Sequence, residues 1–271
     1  MPFPDLSFKT RLHAIRKLAT RSRSYLLVTI RPEDMLRPRP ADHALAPVER
    51  RLETSRPTIE ALLARLSPAM EQARRSLGPL AANRFFAGGD AEAAYAMIKD
   101  RRPGRVIEIG SGNSTHIMRR AASDAGLDLH ITCIDPAPRR EIESVANIID
   151  RRSVLETEPS ALAAELDDGD VLFIDGSHYA FNGTDAPFLL LEVFPLLKPG
   201  VIVHVHDIML PYEYDALFSE RNYNEQYLLA GLLLGGADWE PLLPVYWLSR
   251  AGRMAHGASF WLRRRRASEA D

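Results

Sequence analysis

The stretch Arg105-Val-Ile-Glu-Ile-Gly-Ser-Gly-Asn-Ser-Thr115 decides the fold of this chain. Its short apolar run, typical of a buried parallel strand, consists of Val106, Ile107 and Ile109. The run ends in Gly110-Ser111-Gly112, where glycines allow a sharp turn and bring backbone N–H groups close to a ligand. Ser114 is suited to cap the helix that follows, and the first turn of that helix would face the same ligand.

An acid follows this turn at the distance of one strand–helix–strand unit. Asp135 directly follows the predicted strand Leu129–Ile134, the position where such units place a carboxylate at the end of their second strand. A carboxylate there can accept hydrogen bonds from both hydroxyls of a ribose. The turn and Asp135 together therefore predict a nucleoside-binding site.

The residues around the turn indicate which nucleoside is bound. A dinucleotide fingerprint that starts at Gly110 requires glycine at position 115, where this chain has Thr115. Glu108 precedes the turn and disfavours a pyrophosphate, but it suits a cationic group such as the sulfonium of S-adenosylmethionine. The pattern Glu108-x-Gly110-x-Gly112 resembles the first motif of class I S-adenosylmethionine-dependent methyltransferases. We therefore expect Glu108, Gly110, Ser111, Gly112, Ser114 and Asp135 to bind this cofactor.

Composition bounds the class of protein. The 271 residues, 46% apolar and 26% charged, fit one large globular domain or a smaller domain with an extension. Residues 1–85 hold 16 Lys and Arg against 8 Asp and Glu, whereas the remainder holds 18 against 28. The acidic remainder argues against a nucleic-acid substrate. Cys133, the only cysteine, excludes a disulfide framework and a thiolate zinc cluster.

No apolar run approaches the ~20 residues of a membrane span, and residues 25–30 are too short for the core of a signal peptide. We expect a cytoplasmic protein without a transmembrane segment. Residues 8–23 place apolar side chains on one helical face with basic ones around them. This pattern fits an interfacial helix on an anionic membrane, or a helix that packs on the body or on a second subunit.

The N-terminal third differs in pattern from the rest. Its prolines at 32, 38, 40 and 47 predict an extended linker over 30–47. Helical spacing returns over 48–77 but is interrupted by Pro57 and Pro68, which predicts two or three short helices that cap the site or form a homodimer. We assign residues 1–84 to a helical extension with a Pro-rich linker, 85–262 to the cofactor-binding domain and 263–271 to a basic tail.

Strand and helix patterns alternate from about residue 84 onward. Strands are predicted over 105–109, 129–134, 146–149, 171–174 and 201–205, followed by an antiparallel hairpin over 239–248 and 259–262. Helices are predicted over 91–99, 114–125, 159–166, 185–197 and 222–234. The predicted fold is α/β: a Rossmann-like, seven-stranded, mostly parallel sheet with a C-terminal antiparallel hairpin, like that of class I methyltransferases.

Candidate chemistry follows two of the strands. Asp175 and His178 come directly after the strand 171–174, and His206 and Asp207 follow the strand 201–205. Because open α/β sheets bind ligands at the carboxyl ends of their strands, we expect these side chains to face the cofactor site. His204, two positions before His206, is expected to be structural.

Four motifs sharpen the resemblance over residues 85–262. They are Phe173-Ile-Asp-Gly-Ser-His178, Gly183-Thr-Asp185, Leu197-Lys-Pro-Gly-Val201 and Val205-His-Asp-Ile208. Together they are similar to the subgroup of bacterial sugar and macrolide O-methyltransferases and cephalosporin-hydroxylase-like proteins. In metal-dependent members of that subgroup, an Asp-x-x-His motif supplies a magnesium ligand and a general base. The resemblance implies these roles for Asp175 and His178.

The resemblance also implies a divalent metal, with one departure. Such relatives carry a Glu-Asp pair after the fifth strand, whereas this chain has His206-Asp207, so that only the Asp matches. Asp175 and Asp207 suit Mg²⁺, and His206 would shift the preference towards a metal such as Mn²⁺, or would indicate that no metal binds.

The sequence thus predicts an S-adenosylmethionine-dependent O-methyltransferase that acts on a small molecule or glycan. His178, whose ordinary pKa is about 6.5, would accept the proton of the hydroxyl. The alternatives are a hydroxylase-like relative, an NAD-dependent oxidoreductase and a non-catalytic protein that binds the cofactor.

Overall fold

One mixed sheet forms the centre of the computed structural model, which describes residues 39–83, 85–236 and 238–266. Its strands are β1 (Arg105–Ile109), β2 (His130–Ile134), β3 (Ile148–Asp150), β4 (Val171–Ile174), β5 (Ile202–Val205), β6 (Trp239–Pro244) and β7 (Phe260–Arg264). They are ordered β3-β2-β1-β4-β5-β7-β6, and the antiparallel pairs are those that β7 makes with β5 and with β6. The predicted fold class is confirmed.

Helices flank this sheet. They are α1 (Ala46–Ser76), α2 (Gly89–Arg101), α3 (Asn113–Asp124), α4 (Pro159–Ala164), α5 (Asp185–Pro187), α6 (Ala216–Glu220), α7 (Glu225–Gly235) and α8 (Val245–Arg250). The helical path continues from α5 through a π-helical turn at Phe188–Val193 and a 3₁₀ turn at Phe194–Leu196. No helix within the described ranges is long and apolar enough to cross a membrane.

The parallel register brings the strand ends together. Ile109 of β1 pairs with Ile134 of β2 and with Ile174 of β4, and Ile174 pairs in turn with Val205 of β5. The residue after each of these strands therefore lies at the same edge of the sheet. This edge carries the predicted glycine turn, Asp135, Asp175 and His206.

The prediction of several short helices over 48–77 is wrong, because α1 is one helix of 31 residues. Pro57 and Pro68 lie inside it on the exposed face, where water can bond the carbonyl groups that lose a partner. The opposite face buries Leu52, Ile59, Leu62, Leu63, Leu66 and Met70. Burial stabilises by roughly 1.5–3 kcal/mol per large apolar side chain, so these six side chains together outweigh the cost of about 3 kcal/mol for each of the two prolines.

The prediction of a strand over 239–248 is wrong beyond Pro244, where β6 ends and α8 begins. The antiparallel pairing with β7 shifts in register between Pro241 and Leu243. Proline cannot donate to the ladder, so Pro241 and Pro244 weaken the strand at its end. The chain then turns into α8 and buries Val245, Tyr246, Trp247 and Leu248.

The N-terminal region is described only from residue 39. The predicted helix over 8–23 and part of the predicted linker lie outside the described residues. α1 packs against α2 and β6, and its apolar side chains share one continuous core with the sheet. The domain boundaries at 84 and 262 and the homodimer stay predictions.

Candidate active site

A cavity of about 640 Å³ opens at the carboxyl edge of the sheet. It lies over the ends of β1, β2 and β4 and beside the first turn of α3. Of the residues predicted to form the site, its walls include Gly110, Ser111, Gly112, Ser114, Asp135 and Asp175. The sequence prediction of one shared site at this edge agrees with the position of these six residues.

The two glycines of the turn have different roles. Gly110 has a φ of 79°, and a Cβ placed there would lie 2.0 Å from the backbone oxygen of Asp175. Gly110 thus lets the chain after β4 approach the end of β1. Around Gly112, no atom lies within 4 Å of the position that a Cβ would take. The space beside Gly112 belongs to the cavity, so a ligand can approach the backbone there.

Asp135 connects the turns after β1 and β2. Its Oδ2 accepts hydrogen bonds from the backbone N–H of Ser111 at 2.7 Å and from the Ser111 hydroxyl at 2.9 Å. Its Oδ1 accepts from the N–H of Ala137 at 2.8 Å. Asp135 therefore fixes the shape of the cavity wall, and its binding of a ribose stays a prediction.

Glu108 does not line the cavity, and its predicted contact with the cofactor stays a prediction. Its side chain is fully buried beneath the turn, where Ser114 and Thr115 each donate a hydroxyl hydrogen bond of 2.5 Å. The thiol of Cys133 approaches the same carboxylate at 3.3 Å. Burial raises the pKa of Glu108 to about 7, although these hydrogen bonds oppose the shift. Glu108 thus supports α3 from below.

Ser114 does not cap α3, so the sequence prediction of its capping role is wrong. The residue before the helix is Gly112, and Ser114 lies within the first turn with its hydroxyl directed to Glu108. Glu108 is buried, and its need for hydrogen-bond donors explains why this hydroxyl turns inward. Ser114 still contributes to the cavity wall.

A second group of side chains joins the ends of β4 and β5, and we call it the Asp–His cluster: Asp175, His178, His206 and Asp207. His178 Nε2 lies 3.5 Å from Asp175 Oδ1 and 3.4 Å from Asp207 Oδ2. His206 Nδ1 lies 3.4 Å from Asp175 Oδ1 and 3.5 Å from Asp207 Oδ1. Each imidazole therefore faces both carboxylates, and Asp175 joins the cluster to the cavity.

Two buried acids hold the outer nitrogens of these imidazoles. Glu225, at the start of α7, has its Oε1 2.5 Å from His178 Nδ1. Asp90, at the start of α2, has its Oδ2 3.3 Å from His206 Nε2. The sequence analysis placed Glu225 in the predicted helix over 222–234 without assigning it a role, and it missed Asp90. Neither acid is near its histidine in sequence, so no local pattern indicates the pairs.

The backbone of the cluster is strained at two positions. His178 has a φ of 66° and Asp207 a φ of 56°, in the left-handed region that favours glycine. Such conformations cost of order 1–3 kcal/mol each and persist where surrounding contacts fix them. Here the fixed conformation directs both side chains into the cluster.

Residues 107–208 match the family model of a methyltransferase domain. Residues 107–208 are therefore similar to a methyltransferase domain, and we use that name for this range. The matched range begins in β1 and ends directly after Asp207, so the methyltransferase domain contains both the glycine turn and the Asp–His cluster. The predicted resemblance to class I S-adenosylmethionine-dependent methyltransferases is confirmed, as is the predicted enzyme class.

Solved structures of similar fold include two O-methyltransferases. The enzyme TomG from Streptomyces achromogenes is 17% identical over 73% of this chain and 90% of its own, with a TM-score of 0.43. The O-methyltransferase from Bacillus cereus is 14% identical over 75% of this chain and 91% of its own, with a TM-score of 0.42. No curated protein matches the chain.

Opposite charges set the protonation of the cluster in the methyltransferase domain. Burial alone would lower the pKa of His178, but the carboxylates of Glu225, Asp207 and Asp175 raise it to about 9. Burial likewise opposes a charge on His206, but the carboxylates of Asp207, Asp175 and Asp90 raise its pKa well above the usual range. Burial alone would raise the pKa of Asp175, but these two imidazoles lower it. Both rings are therefore cationic at neutral pH.

His204 lies outside this network, as expected of a structural residue. It is fully buried, stacks on Phe173 with ring centroids 3.7 Å apart, and lies 2.9 Å from the hydroxyl of Ser259. Burial and the charge of His206 lower its pKa well below the usual range. His204 is neutral at physiological pH and packs within the methyltransferase domain.

The residues of the cluster do not fit the predicted metal site. In the part of the chain that the structure describes, no group of three or more His, Cys, Asp and Glu side chains could hold a metal ion. Both ring nitrogens of His206 face carboxylates, Nδ1 those of Asp175 and Asp207 and Nε2 that of Asp90. The carboxylate oxygens of Asp175 and Asp207 instead face imidazolium nitrogens.

Proposed function

We propose that the methyltransferase domain transfers a methyl group from S-adenosylmethionine to a hydroxyl group of a small molecule or glycan. The observation that carries this proposal is the position of Asp175, which lines the same cavity as the glycine turn and also belongs to the Asp–His cluster. A cofactor bound against the turn would thus lie beside a group able to accept a proton.

The cavity suits this cofactor in size and lining. Its volume of about 640 Å³ lies within the usual range of small-molecule sites. Gly112 and the first turn of α3 would hold the amino-acid part, and Asp135 would face the ribose. When bound, S-adenosylmethionine supplies an electrophilic methyl group on its sulfonium.

Asp175 is the group of the cluster that reaches the cavity, whereas His178 lies behind it and does not line the wall. We therefore assign the contact with the acceptor to Asp175, which accepts a hydrogen bond from the hydroxyl and orients it. An oxygen that has gained a methyl group is strongly acidic, so even a carboxylate of low pKa accepts its proton. His178 stabilises the charge of Asp175 before the transfer. Because its ring is already protonated, it can receive the proton from Asp175 only after it has released the proton that it carries.

The charge of the site favours a neutral acceptor. Four carboxylates, those of Asp90, Asp175, Asp207 and Glu225, surround two imidazolium rings. This excess of negative charge disfavours a carboxylate or phosphate in direct contact with Asp175, whereas Arg139 and Arg140 supply positive charge on another part of the cavity wall. A neutral hydroxyl, as in a sugar or another polyol, meets no such repulsion.

A metal takes no part in the proposed reaction. The two imidazolium rings face Asp175 and Asp207 in the places where a divalent cation would have to contact them. Addition of a chelator is therefore expected to leave the rate of methyl transfer unchanged. A rate that falls with chelator and recovers with Mg²⁺ or Mn²⁺ would restore the metal that the resemblance implies.

Two measurements test the proposed function. Calorimetry should show binding of S-adenosylmethionine and of its demethylated product, with no binding of NAD. Transfer of a labelled methyl group should then be detected with hydroxyl acceptors and not with matched carboxylic acids. Absence of cofactor binding at millimolar concentration would refute the proposal. Binding without transfer to a broad acceptor panel would identify a non-catalytic protein.

A further inference from the structure

The segment Phe86-Ala-Gly-Gly-Asp90 leads into α2, outside the matched range 107–208, and contacts His206 from two sides. We call it the 86–90 segment. The sequence analysis assigned it no role. Neither Asp90 nor His206 lines the cavity, whereas Phe86 does. The 86–90 segment therefore extends from the cavity wall to the far side of the Asp–His cluster.

Asp90 is a buried carboxylate that uses both oxygens. It is 6% exposed, and its Oδ1 accepts from the backbone N–H groups of Ala258 at 2.8 Å and Ser259 at 2.7 Å. Its Oδ2 faces His206 Nε2 at 3.3 Å. The loop before β7 thus fixes Asp90, and Asp90 in turn fixes one nitrogen of His206.

Close backbone packing brings Asp90 to this position. A Cβ on Gly89 would lie 2.2 Å from the backbone oxygen of Ala255, and a Cβ on Gly257 would lie 2.5 Å from Asp90 Oδ1. Gly88 has a φ of 55°, and the N–H of Gly89 donates to the backbone oxygen of His256 at 2.7 Å. Glycine is thus required on both sides of this contact.

Phe86 packs against the same imidazole in a tilted arrangement, with 46° between the ring planes. Its ring is 2% exposed and lies 5.0 Å from the ring of His206, centroid to centroid. Asn83 fixes Phe86 by accepting from its backbone N–H at 2.7 Å and donating to its backbone oxygen at 2.6 Å. Because Phe86 packs against the ring of His206 and Asp90 faces its Nε2, the nitrogen that the ring directs to Asp175 and Asp207 is Nδ1.

We propose that Asp90 is a positioning residue for the proposed methyl transfer, acting through His206 on Asp175 and Asp207. This inference rests on the proposed function. Asp90 touches neither the cavity nor the carboxylates themselves. Its effect on turnover must therefore pass through the orientation of His206. Loss of Asp90 should leave the affinity for a cofactor bound in the cavity unchanged.

The test compares Asp90→Asn with a matched control on the same helix. Asparagine retains an oxygen for the N–H groups of Ala258 and Ser259 but presents an amide to His206. The control is Glu92→Gln, which alters another buried acid of α2. Glu92 lies outside the Asp–His cluster and accepts two hydrogen bonds from Arg74, at 2.8 and 2.7 Å. We expect kcat to fall tenfold or more in Asp90→Asn, with an unchanged Kd for S-adenosylmethionine, and to stay within twofold in Glu92→Gln.

A double-mutant cycle separates positioning from a general loss of structure. If Asp90 acts only through His206, the variant Asp90→Asn/His206→Gln should be no slower than His206→Gln alone. Rate losses that multiply, or equal losses in Asp90→Asn and Glu92→Gln, would overturn the inference.

Nitrogen NMR of the histidine rings gives a readout that does not depend on activity. The ring-nitrogen resonances of His206 should shift in Asp90→Asn and stay in place in Glu92→Gln. Unshifted resonances would overturn the inference while leaving the proposed function intact. Absence of methyl transfer by the unaltered protein would instead refute the proposed function, and with it the catalytic consequence of the Asp90–His206 contact.

Discussion

Glu225 Oε1 lies 2.5 Å from His178 Nδ1, although 47 positions separate the two residues in the chain. Both side chains are buried, and the opposite nitrogen of His178 faces Asp175 and Asp207. Glu225 therefore determines which nitrogen of His178 faces the reacting centre, and it raises the pKa of the ring. The same arrangement recurs at His206 with Asp90, so the cluster is built from two acid-supported imidazoles.

Replacement of Glu225 by glutamine should lower the pKa of His178. After burial, Glu225 has the largest effect on that pKa, and glutamine removes its negative charge. We expect NMR titration to show a fall from about 9 towards the ordinary value of about 6.5. Glu165→Gln, which alters an exposed pair with Arg105, is the control and should leave His178 unchanged. A pKa that stays near 9 in Glu225→Gln would show that another group holds the charge.

The free energy of unfolding should depend on His178 at alkaline pH. Because its pKa rises from 6.5 to about 9 on folding, its charged form stabilises the folded protein fully below pH 6.5. That contribution is lost as the pH rises through about 9. Urea unfolding at a series of pH values should therefore show a smaller alkaline loss in His178→Asn than in the unaltered protein. Equal slopes in the two proteins would contradict the assigned pKa.

Glu108 should give a second pH effect in a different range. Its pKa rises from 4.5 to about 7 on folding, chiefly through burial, so its contribution is present below pH 4.5 and is lost as the pH rises through 7. Glu108→Gln should remove this slope from urea unfolding. It should also leave the Kd for S-adenosylmethionine nearly unchanged, because Glu108 does not line the cavity. A large loss of affinity without loss of stability would favour direct contact with the cofactor.

The two glycines of the turn should respond differently to alanine. Gly110→Ala places a methyl group 2.0 Å from the backbone oxygen of Asp175 at a φ of 79°, and should destabilise the fold by about 1–3 kcal/mol or more. Gly112→Ala meets no atom within 4 Å and should leave stability nearly unchanged. Its methyl group would instead occupy the space left for the cofactor. Thermal unfolding and calorimetry should show a stability loss in the first variant and an affinity loss in the second.

The features that the sequence predicts best depend on contacts close in the chain. The run Val106 to Gly112 defines a buried strand and a turn within a few residues, and the alternation of strands and helices then limits the topology. Asp175 and Asp207 were found because they lie one and two residues after the ends of β4 and β5. The parallel register then brings those strand ends together.

The errors arise where tertiary contacts override local preference. Pro57 and Pro68 predict breaks, but the buried face of α1 keeps it continuous. Glu108 was assigned to the cofactor because an acid before the turn suits a cationic group, whereas in the structure its carboxylate accepts hydrogen bonds from Ser114 and Thr115. Asp90 lies 116 positions from His206, so their pairing depends on how α2 docks against the loop before β7.

The most direct test of the account is the effect of Asp175→Asn on methyl transfer and on cofactor binding, measured in the same preparation. Asp175 is the member of the Asp–His cluster that lines the cavity, and asparagine keeps its shape without its charge. We predict a fall in kcat of at least about 100-fold, the scale of a general acid–base contribution, with the Kd for S-adenosylmethionine within threefold of the unaltered value. An unchanged rate with a folded, cofactor-binding protein would contradict the assignment of Asp175 to the reacting centre.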